Sequence, residues 1–99
     1  MKIGIGSDHA GFELKEDLRR YLGEQKIEVE DFGANSESSG DYPDIGVAVA
    51  EKVAAGQLDR GILICGTGLG MSIVANRFAG VRATLCHDLY TARMSREHN

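Results

Sequence analysis

The sequence has little of several features that mark particular protein classes. It contains two cysteines and no Cys-x-x-Cys pair, which argues against a disulfide scaffold and against a zinc site. Its net charge is −4 and its basic residues form no cluster, which argues against nucleic-acid binding and anionic-membrane binding. No apolar run approaches the ~18 residues of a membrane span, and the first residues lack the apolar stretch of a signal peptide. We therefore expect a cytoplasmic protein.

The sequence does contain a regular alternation of strand-like and helix-like segments. Its 99 residues predict one domain over 1–99, because chains usually divide only well beyond ~200 residues. The predicted strands cover residues 2–7, 26–33, 61–65 and 81–88, and the predicted helices cover residues 11–23, 43–55, 69–77 and 89–97. This order indicates an α/β protein with a parallel sheet between two layers of helices. We expect a Rossmann-like three-layer sandwich with strand order 2-1-3-4.

Apolar patterning predicts where these segments lie in the fold. Residues 61–65 (GILIC) are apolar without alternation, which is typical of a central parallel strand. Residues 26–33 alternate apolar and charged side chains, which is typical of an edge strand. On the first helix, four apolar side chains at helical spacing predict a face packed on the sheet: Leu14, Leu18, Tyr21 and Leu22.

The predicted strand order also predicts the position of a binding site. Parallel α/β sheets bind ligands beyond the carboxyl ends of their strands, near the point where the strand order reverses. The two strands that flank this point end in GSDHAG (6–11) and CGTGLG (65–70). We therefore expect these two segments to face each other across one crevice.

Three glycines follow the third predicted strand and precede a helix. Gly66, Gly68 and Gly70 allow backbone amides to approach a ligand, and a helix N-terminus favours negative charge. The spacing is not the Walker pattern, since no Gly-Lys-Ser/Thr follows, and it does not match the dinucleotide fingerprint GxGxxG. A simple strand-to-helix turn needs fewer glycines, so the loop favours an anion or oxyanion site.

The cysteines are each open to two interpretations. At a helix N-terminus the thiol of Cys65 would ionise readily and serve as a base or nucleophile. Free cysteine is also among the most buried residue types, so Cys65 could instead pack as a small apolar residue. Cys86 has no glycine loop beside it, which favours the packing interpretation there.

Polar residues next to the strand ends are similarly open to two interpretations. Asp8 and His9 could bind the hydroxyls or phosphate of a ligand, but Asp8 could equally cap the first helix. His87 and Asp88 are predicted to cap the last helix and lie at the surface. No cofactor fingerprint or metal-ligand spacing accompanies them.

Together these residues supply a thiol, a threonine, histidines, a carboxylate and an anion-binding loop. Such a set suits proton transfer on a polyhydroxylated, anionic small molecule. Aldose–ketose isomerisation needs a base next to the carbonyl, amides for the enediolate oxygen and a group that opens the sugar ring.

Four co-linear segments, residues 6–15, 41–53, 61–83 and 86–99, resemble the ribose-5-phosphate isomerase B family, which includes the galactose-6-phosphate isomerase subunits. The resemblance implies interconversion of ribose 5-phosphate and ribulose 5-phosphate through an enediolate, in the pentose phosphate pathway, without metal or cofactor. It also implies a homodimer, or a dimer of dimers, whose active sites form between subunits.

The resemblance further implies a role for each matching residue. Cys65 matches the base that abstracts the proton, Thr67 the hydroxyl that assists it and His98 the acid that opens the furanose ring. The other matching positions bind substrate, through side chains at Asp8, His9, Tyr42 and Asn99 and through the amides of Gly66, Thr67, Gly68, Leu69 and Gly70.

The resemblance also implies that family members continue beyond Asn99. The additional part holds a fifth strand, a C-terminal helix and arginines that bind the phosphate, and we expect these contacts to be needed for activity. Three other functions fit the residues: an isomerase of a six-carbon sugar phosphate such as allose or galactose 6-phosphate, a non-catalytic sugar-phosphate-binding module, and a thiol-based acyl or phosphoryl transferase.

Overall fold

The computed structural model describes residues 1–34 and 42–99, with the side chain of Tyr42 excluded. The described elements, in chain order, are β1 (Lys2–Ser7), α1 (Phe12–Glu24), β2 (Glu28–Asp31), α2 (Tyr42–Ala54), β3 (Arg60–Ile64), α3 (Leu69–Ala75) and α4 (Leu89–His98). The four predicted helices and first three predicted strands therefore form, each within two residues of its expected bounds. Residues 35–41, between β2 and α2, lie outside the described residues. None of the described helices is long and apolar enough to cross a membrane.

The three strands form a parallel sheet in the order β2-β1-β3. Ile5 of β1 lies opposite Asp31 of β2 on one side and Ile62 of β3 on the other. Helix α1 packs against all three strands, while α2 packs against β1, β3 and α3 without touching α1. The helices thus cover opposite faces, which confirms the Rossmann-like α/β class, the order 2-1-3 and the edge position of β2.

The core lies between β1 and the layer formed by α2 and α3. Ile5, Val49 and Met71 are almost fully buried there, and each such side chain contributes about 1.5–3 kcal/mol by leaving water. Gly61 of β3 lies so close to Val49 that a Cβ at this position would sit 2.7 Å from Val49 Cγ1. This packing holds α2 on the sheet. Helix α3 packs in turn on α2, where a Cβ on Gly46 would sit 3.0 Å from Val74 Cγ1.

The predicted fourth strand, residues 81–88, is not a strand in the structure. Its burial alternates as a strand's would, since Val81, Ala83 and Leu85 are half-buried between exposed neighbours. However, the backbone of Ala83 hydrogen-bonds to the side-chain amide of Asn76, which donates at 2.9 Å and accepts at 2.8 Å. Alternation specifies an extended chain, but a strand also needs a ladder partner. We call residues 81–86 the strap.

A cavity of about 890 Å³ separates β3 from the strap. Within the described residues β3 is consequently an edge strand, and its side chains are half-buried or exposed instead of enclosed on both faces. The same cavity borders Leu14 and Leu18 of α1. Leu14 is 53% exposed and Tyr21 is 56% exposed, so the predicted packing face of α1 was wrong at these two positions. The predicted burial of Leu22 is confirmed, and Lys15, which was not predicted to pack, is buried as well.

Candidate functional site

The two motifs at the carboxyl edge of the sheet come together as the strand order predicted. The backbone N–H of Asp8 donates to the carbonyl of Ile64 at 3.0 Å. This bond extends the β1–β3 ladder one residue beyond Ser7, which pairs with Ile64 in register. Asp8 and Cys65 therefore leave neighbouring strands side by side.

Asp8 uses part of its hydrogen-bonding capacity within the chain. Its Oδ1 accepts from the N–H of Gly11 at 2.8 Å, in the turn before α1. The N-cap of α1 is Gly11 and the helix has no side-chain cap, so the capping interpretation of Asp8 was wrong. Its Oδ2 has no hydrogen-bond partner among the described residues, and the side chain is half-buried. The ring of His9 is exposed. One carboxylate oxygen and one imidazole thus remain available to a ligand at this edge.

Cys65 lies at the end of β3, half-buried and lining the cavity. Its Sγ accepts a hydrogen bond from the backbone N–H of Gly68 at 3.1 Å. The bond places a backbone donor on the sulfur, at the turn that begins α3. This contact and the exposure to the cavity favour the chemical interpretation of Cys65 over packing in the core.

Thr67 and Gly68 shape the turn that leads into α3. The hydroxyl oxygen of Thr67 accepts from the N–H of Leu69 at 3.1 Å. Gly68 is the N-cap of α3 and has φ +81°, in the left-handed region that glycine adopts without the strain a Cβ would bring. The turn thereby directs the N–H of Gly68 back to Cys65.

Several backbone amides around this turn point to no acceptor in the described part of the chain. The N–H groups of Gly66, Thr67, Gly70 and Met71 are in this position, whereas those of Gly68 and Leu69 are bound to Cys65 and Thr67. Clustered N–H groups of this kind form a concave site for an anion or for a developing oxyanion. Met71 was missed by the sequence reasoning, which ended the loop at Gly70.

Other predicted site residues lie apart from this cluster. His98 is exposed at the end of α4, Asn99 follows it, and neither lines the cavity that Cys65 and Thr67 line. The side chain of Tyr42 lies outside the described residues. The cavity also borders His87 and Arg96, which sequence reasoning did not assign to the site, because their approach to β3 depends on the path of the strap.

The capping role predicted for Asp88 is confirmed. Asp88 is the N-cap of α4, and its Oδ1 accepts from the N–H of Thr91 at 2.7 Å and from the Thr91 hydroxyl at 2.8 Å. The Thr91 N–H, and then its hydroxyl, hold the pKa of Asp88 below its ordinary value. This carboxylate therefore orders the helix that ends in His98.

The sequence matches the family described as Ribose/Galactose Isomerase over residues 3–99. The chain belongs to this family. It is 51% identical over 98 residues to ribose-5-phosphate isomerase B of Escherichia coli, covering 99% of this chain and 66% of that protein. It is 48% identical over 98 residues to D-erythrulose-4-phosphate isomerase 2 of Mycolicibacterium smegmatis, covering 96% of this chain and 64% of that relative.

Solved structures agree with this assignment. The ribose-5-phosphate isomerase B of Clostridium thermocellum superposes with a TM-score of 0.96 at 57% identity, and the match covers 100% of this chain and 67% of that one. The chain thus spans about two thirds of the length of the relatives that it matches. Their shared fold confirms the resemblance found in the sequence.

Proposed function

We propose that this protein is an aldose–ketose isomerase that interconverts ribose 5-phosphate and ribulose 5-phosphate in the pentose phosphate pathway. The observation that carries the proposal is the thiol of Cys65 bound to the Gly68 N–H beside four amides without acceptors. A base next to an oxyanion site is what proton transfer alpha to a carbonyl requires. We also propose a cytoplasmic location, where a reducing environment keeps Cys65 as a thiol.

The reaction would proceed through an enediolate. The thiolate of Cys65 takes the proton from C2 of the open-chain aldose, and the electron pair of that C–H bond forms the C1–C2 double bond. The carbonyl oxygen at C1 gains negative charge, which the open N–H groups of the loop stabilise. Cys65 returns the proton to C1 while the proton of the C2 hydroxyl moves to the C1 oxygen, which leaves the ketone at C2. The hydroxyl of Thr67 assists this transfer.

Asp8 and His9 would hold the sugar and its phosphate at the carboxyl edge of the sheet, with Tyr42 adding a further contact. Asp8 Oδ2 and the exposed ring of His9 have no internal hydrogen bond among the described residues, which supports a role toward a ligand. Carboxylates accept from sugar hydroxyls, and imidazole can donate to a phosphate.

His98 and Asn99 would come from a second copy of the chain in a homodimer. Helix α4 has no buried residue and packs against none of the other six described elements. Exposed apolar side chains lie on both α3 and α4, and such side chains are typical of interaction surfaces: Leu69, Ile73, Leu89 and Tyr90. A twofold dimer would bring His98 of the partner to the ring oxygen of the substrate bound at Cys65.

Substitution of Cys65 tests the catalytic assignment. We expect Cys65→Ala to lower kcat for ribose 5-phosphate by roughly 10²–10⁴, the usual contribution of a positioned base, while binding of the substrate is kept. The matched control is Cys86→Ala, which removes the other thiol and should leave turnover within about twofold. Unchanged turnover in Cys65→Ala would exclude Cys65 as the base. A wild-type protein that binds ribose 5-phosphate but does not convert it would indicate a binding module.

Isotope exchange separates the isomerase from a transferase. In D₂O the product should carry deuterium at the carbon that receives the proton from Cys65, because a thiol exchanges with solvent. A transferase would instead give a covalent adduct on Cys65, detectable by mass spectrometry of the protein mixed with substrate. Such an adduct without deuterium in the sugar would contradict the proposal.

Mixing two inactive variants tests the shared site. Cys65→Ala and His98→Ala chains are mixed, unfolded and refolded together. Half of the refolded dimers would be heterodimers. Each heterodimer has one intact site, which takes Cys65 from the His98→Ala chain and His98 from the Cys65→Ala chain, so about a quarter of wild-type activity should return. A site built within one chain would give no recovery.

The choice of sugar phosphate is a second question, raised by the relative named for D-erythrulose 4-phosphate. We expect kcat/KM to be highest for ribose 5-phosphate, with allose 6-phosphate and galactose 6-phosphate as comparisons. A higher kcat/KM for a six-carbon sugar phosphate would replace the proposed substrate.

Because the relatives are longer, the same assay is run on a chimera carrying the C-terminal third of the Escherichia coli protein. We expect the chimera to be faster, since that part would supply phosphate-binding arginines.

A further inference from the structure

The strap is attached to α3 at both ends of that helix. At the C-terminal end, Asn76 exchanges two hydrogen bonds with the backbone of Ala83. At the N-terminal end, the side chain of Leu85 lies directly against Gly68: a Cβ on Gly68 would overlap Leu85 Cδ1. The strap therefore runs along α3 from its last turn back to the loop that carries the catalytic amides.

The contact with Leu85 falls on the residue that binds Cys65. Gly68 has φ +81°, and its N–H donates to Cys65 Sγ at 3.1 Å. The first turn of α3 holds the Gly68 carbonyl, which accepts from the Ser72 N–H at 3.0 Å, but a glycine keeps more conformational freedom than other residues, so a side chain packed on Gly68 restricts the direction of its N–H further. Leu85 is the side chain nearest to the Cα face of Gly68, and it is half-buried in the wall of the cavity.

We propose that Leu85 is a positioning residue that sets the reactivity of Cys65. Asn76 fixes the register of the strap, the strap places Leu85 on Gly68, and Leu85 holds the Gly68 N–H on Cys65 Sγ. Leu85 itself touches neither the reacting atoms nor the oxyanion. The inference rests on the proposed role of Cys65 as a base, and it deepens that proposal by naming the residue that holds a backbone donor on the base.

The reactivity of Cys65 toward iodoacetamide tests this assignment without an activity assay. Alkylation of Cys65 is followed by peptide-resolved mass spectrometry, which separates it from Cys86, between pH 5.5 and 10. In Leu85→Ala we expect the rate at pH 7 to fall roughly five- to tenfold, the size of effect that loss of one ordinary hydrogen bond predicts. The two rates should approach each other at pH 10, because thiols in general are largely ionised at that pH.

Matched variants separate positioning from general destabilisation. Leu58→Ala removes a buried leucine at the far end of the sheet, where it packs on Gly4, so it should lower stability without moving the pH profile of alkylation. Leu85→Met should restore the profile, and Asn76→Ala should reproduce the Leu85→Ala effect. If Leu85→Ala does not fold, Leu85→Val tests the same contact at smaller amplitude.

In the isomerase assay, Leu85→Ala should lower kcat about as much as it lowers alkylation at pH 7, with KM within twofold. An alkylation profile unchanged in Leu85→Ala, or shifted equally by Leu58→Ala, would overturn the positioning role. If the wild type has no isomerase activity but Leu85→Ala still shifts the pH profile of alkylation, the positioning role is supported and only the proposed function is refuted.

Discussion

Lys15 carries a charge into the interior of the chain, where α1 meets β2. The side chain is 0% exposed, and its Nζ donates to Glu16 at 2.7 Å and to both carboxylate oxygens of Asp31, at 2.9 and 3.0 Å. The ring of Phe12 lies 5.3 Å from the ammonium. Asp31 also accepts from the N–H of Gly33 at 2.9 Å, so Lys15 helps to fix the chain where it leaves β2.

We expect Lys15→Met to lower the free energy of unfolding by about 2–4 kcal/mol, because the partly buried carboxylate of Asp31 then keeps only the more distant guanidinium of Arg19, at 3.4 Å, as a charged partner. Urea unfolding followed by circular dichroism gives the value. The control is Arg20→Met, which breaks an exposed pair with Asp17 and should cost less than about 1 kcal/mol. Equal losses in the two variants would show that burial does not strengthen the Lys15 pairs.

Two left-handed glycines provide a second comparison between residues. Gly56 has φ +78° and open space where a Cβ would stand, whereas a Cβ on Gly68 would overlap Leu85. Alanine at either site meets unfavourable backbone geometry, worth about 1 kcal/mol. Gly68→Ala should also abolish most turnover by displacing the amide that binds Cys65, while Gly56→Ala keeps it. Activity and urea unfolding of both variants check this; an active Gly68→Ala would contradict the proposed loop geometry.

The sequence predicted which residues gather at the site better than which residues fill the core. Asp8 and Cys65 were placed together by strand order alone, since parallel strands end at one edge of the sheet. The buried position of Lys15 was missed, because hydrophobic periodicity counts a lysine as polar and cannot see the carboxylates of Asp31 and Glu16 around it. The exposure of Leu14 was missed because it depends on what lies beyond β3.

Among the elements, α4 depends most on its own residues. It packs against none of the other described helices and strands, so capping contributes a larger share of its stability than it does in the packed helices. The Asp88–Thr91 capping box supplies hydrogen-bond partners that the backbone of the first turn would otherwise lack.

Replacing the cap should therefore unwind α4 selectively. Asp88→Ala should cost about 1 kcal/mol of helix stability and increase amide hydrogen exchange in residues 89–98, with little change in the β strands. Because His98 ends this helix, turnover should fall as well. Asp88→Asn, which caps comparably, serves as control and should retain both properties; equal exchange in the two variants would exclude the cap as the source of order.

The predicted fourth strand shows what local pattern leaves undecided about an element. Val81, Ala83 and Leu85 alternate with polar residues, and the structure keeps that alternation in their burial. Pairing is a property of two segments, and here the amide of Asn76 occupies the N–H and carbonyl of Ala83. The helices and the other three strands were predictable because their apolar periodicity and their partners agree.

Over the whole molecule, acidic groups paired in the folded state determine the response to low pH. The pKa of Glu16 is lowered, chiefly by the hydrogen bond from Lys15 and then that from Arg19. The pKa of Glu30 is lowered, chiefly by the hydrogen bond from Lys52. A carboxyl group whose pKa is lower in the folded than in the unfolded chain stabilises the protein at any pH above its unfolded-state pKa. That stabilisation is lost as the pH falls through the folded-state pKa.

We expect Tm to be steady above the ordinary carboxyl pKa of 4.5 and to fall progressively below it. Lys52→Met should flatten this decline, since Glu30 then titrates nearer its ordinary value in both states. Thermal unfolding by calorimetry between pH 2.5 and 7 measures the slopes. A decline as steep in Lys52→Met as in the wild type would exclude the Lys52–Glu30 pair as a contributor.

The central position of β1 has a kinetic consequence. Its pairing with β2 joins Ile3 to Val29, but its pairing with β3 joins Ile3 to Arg60, a much longer loop to close. Contacts between residues so far apart in sequence form slowly, because the chain loses the entropy of closing the loop before the contacts contribute any stabilising energy. During synthesis the β1-α1-β2 unit can assemble while β3 is still unmade. The thiol and the carboxylate of the site therefore meet only in the last docking event of the sheet.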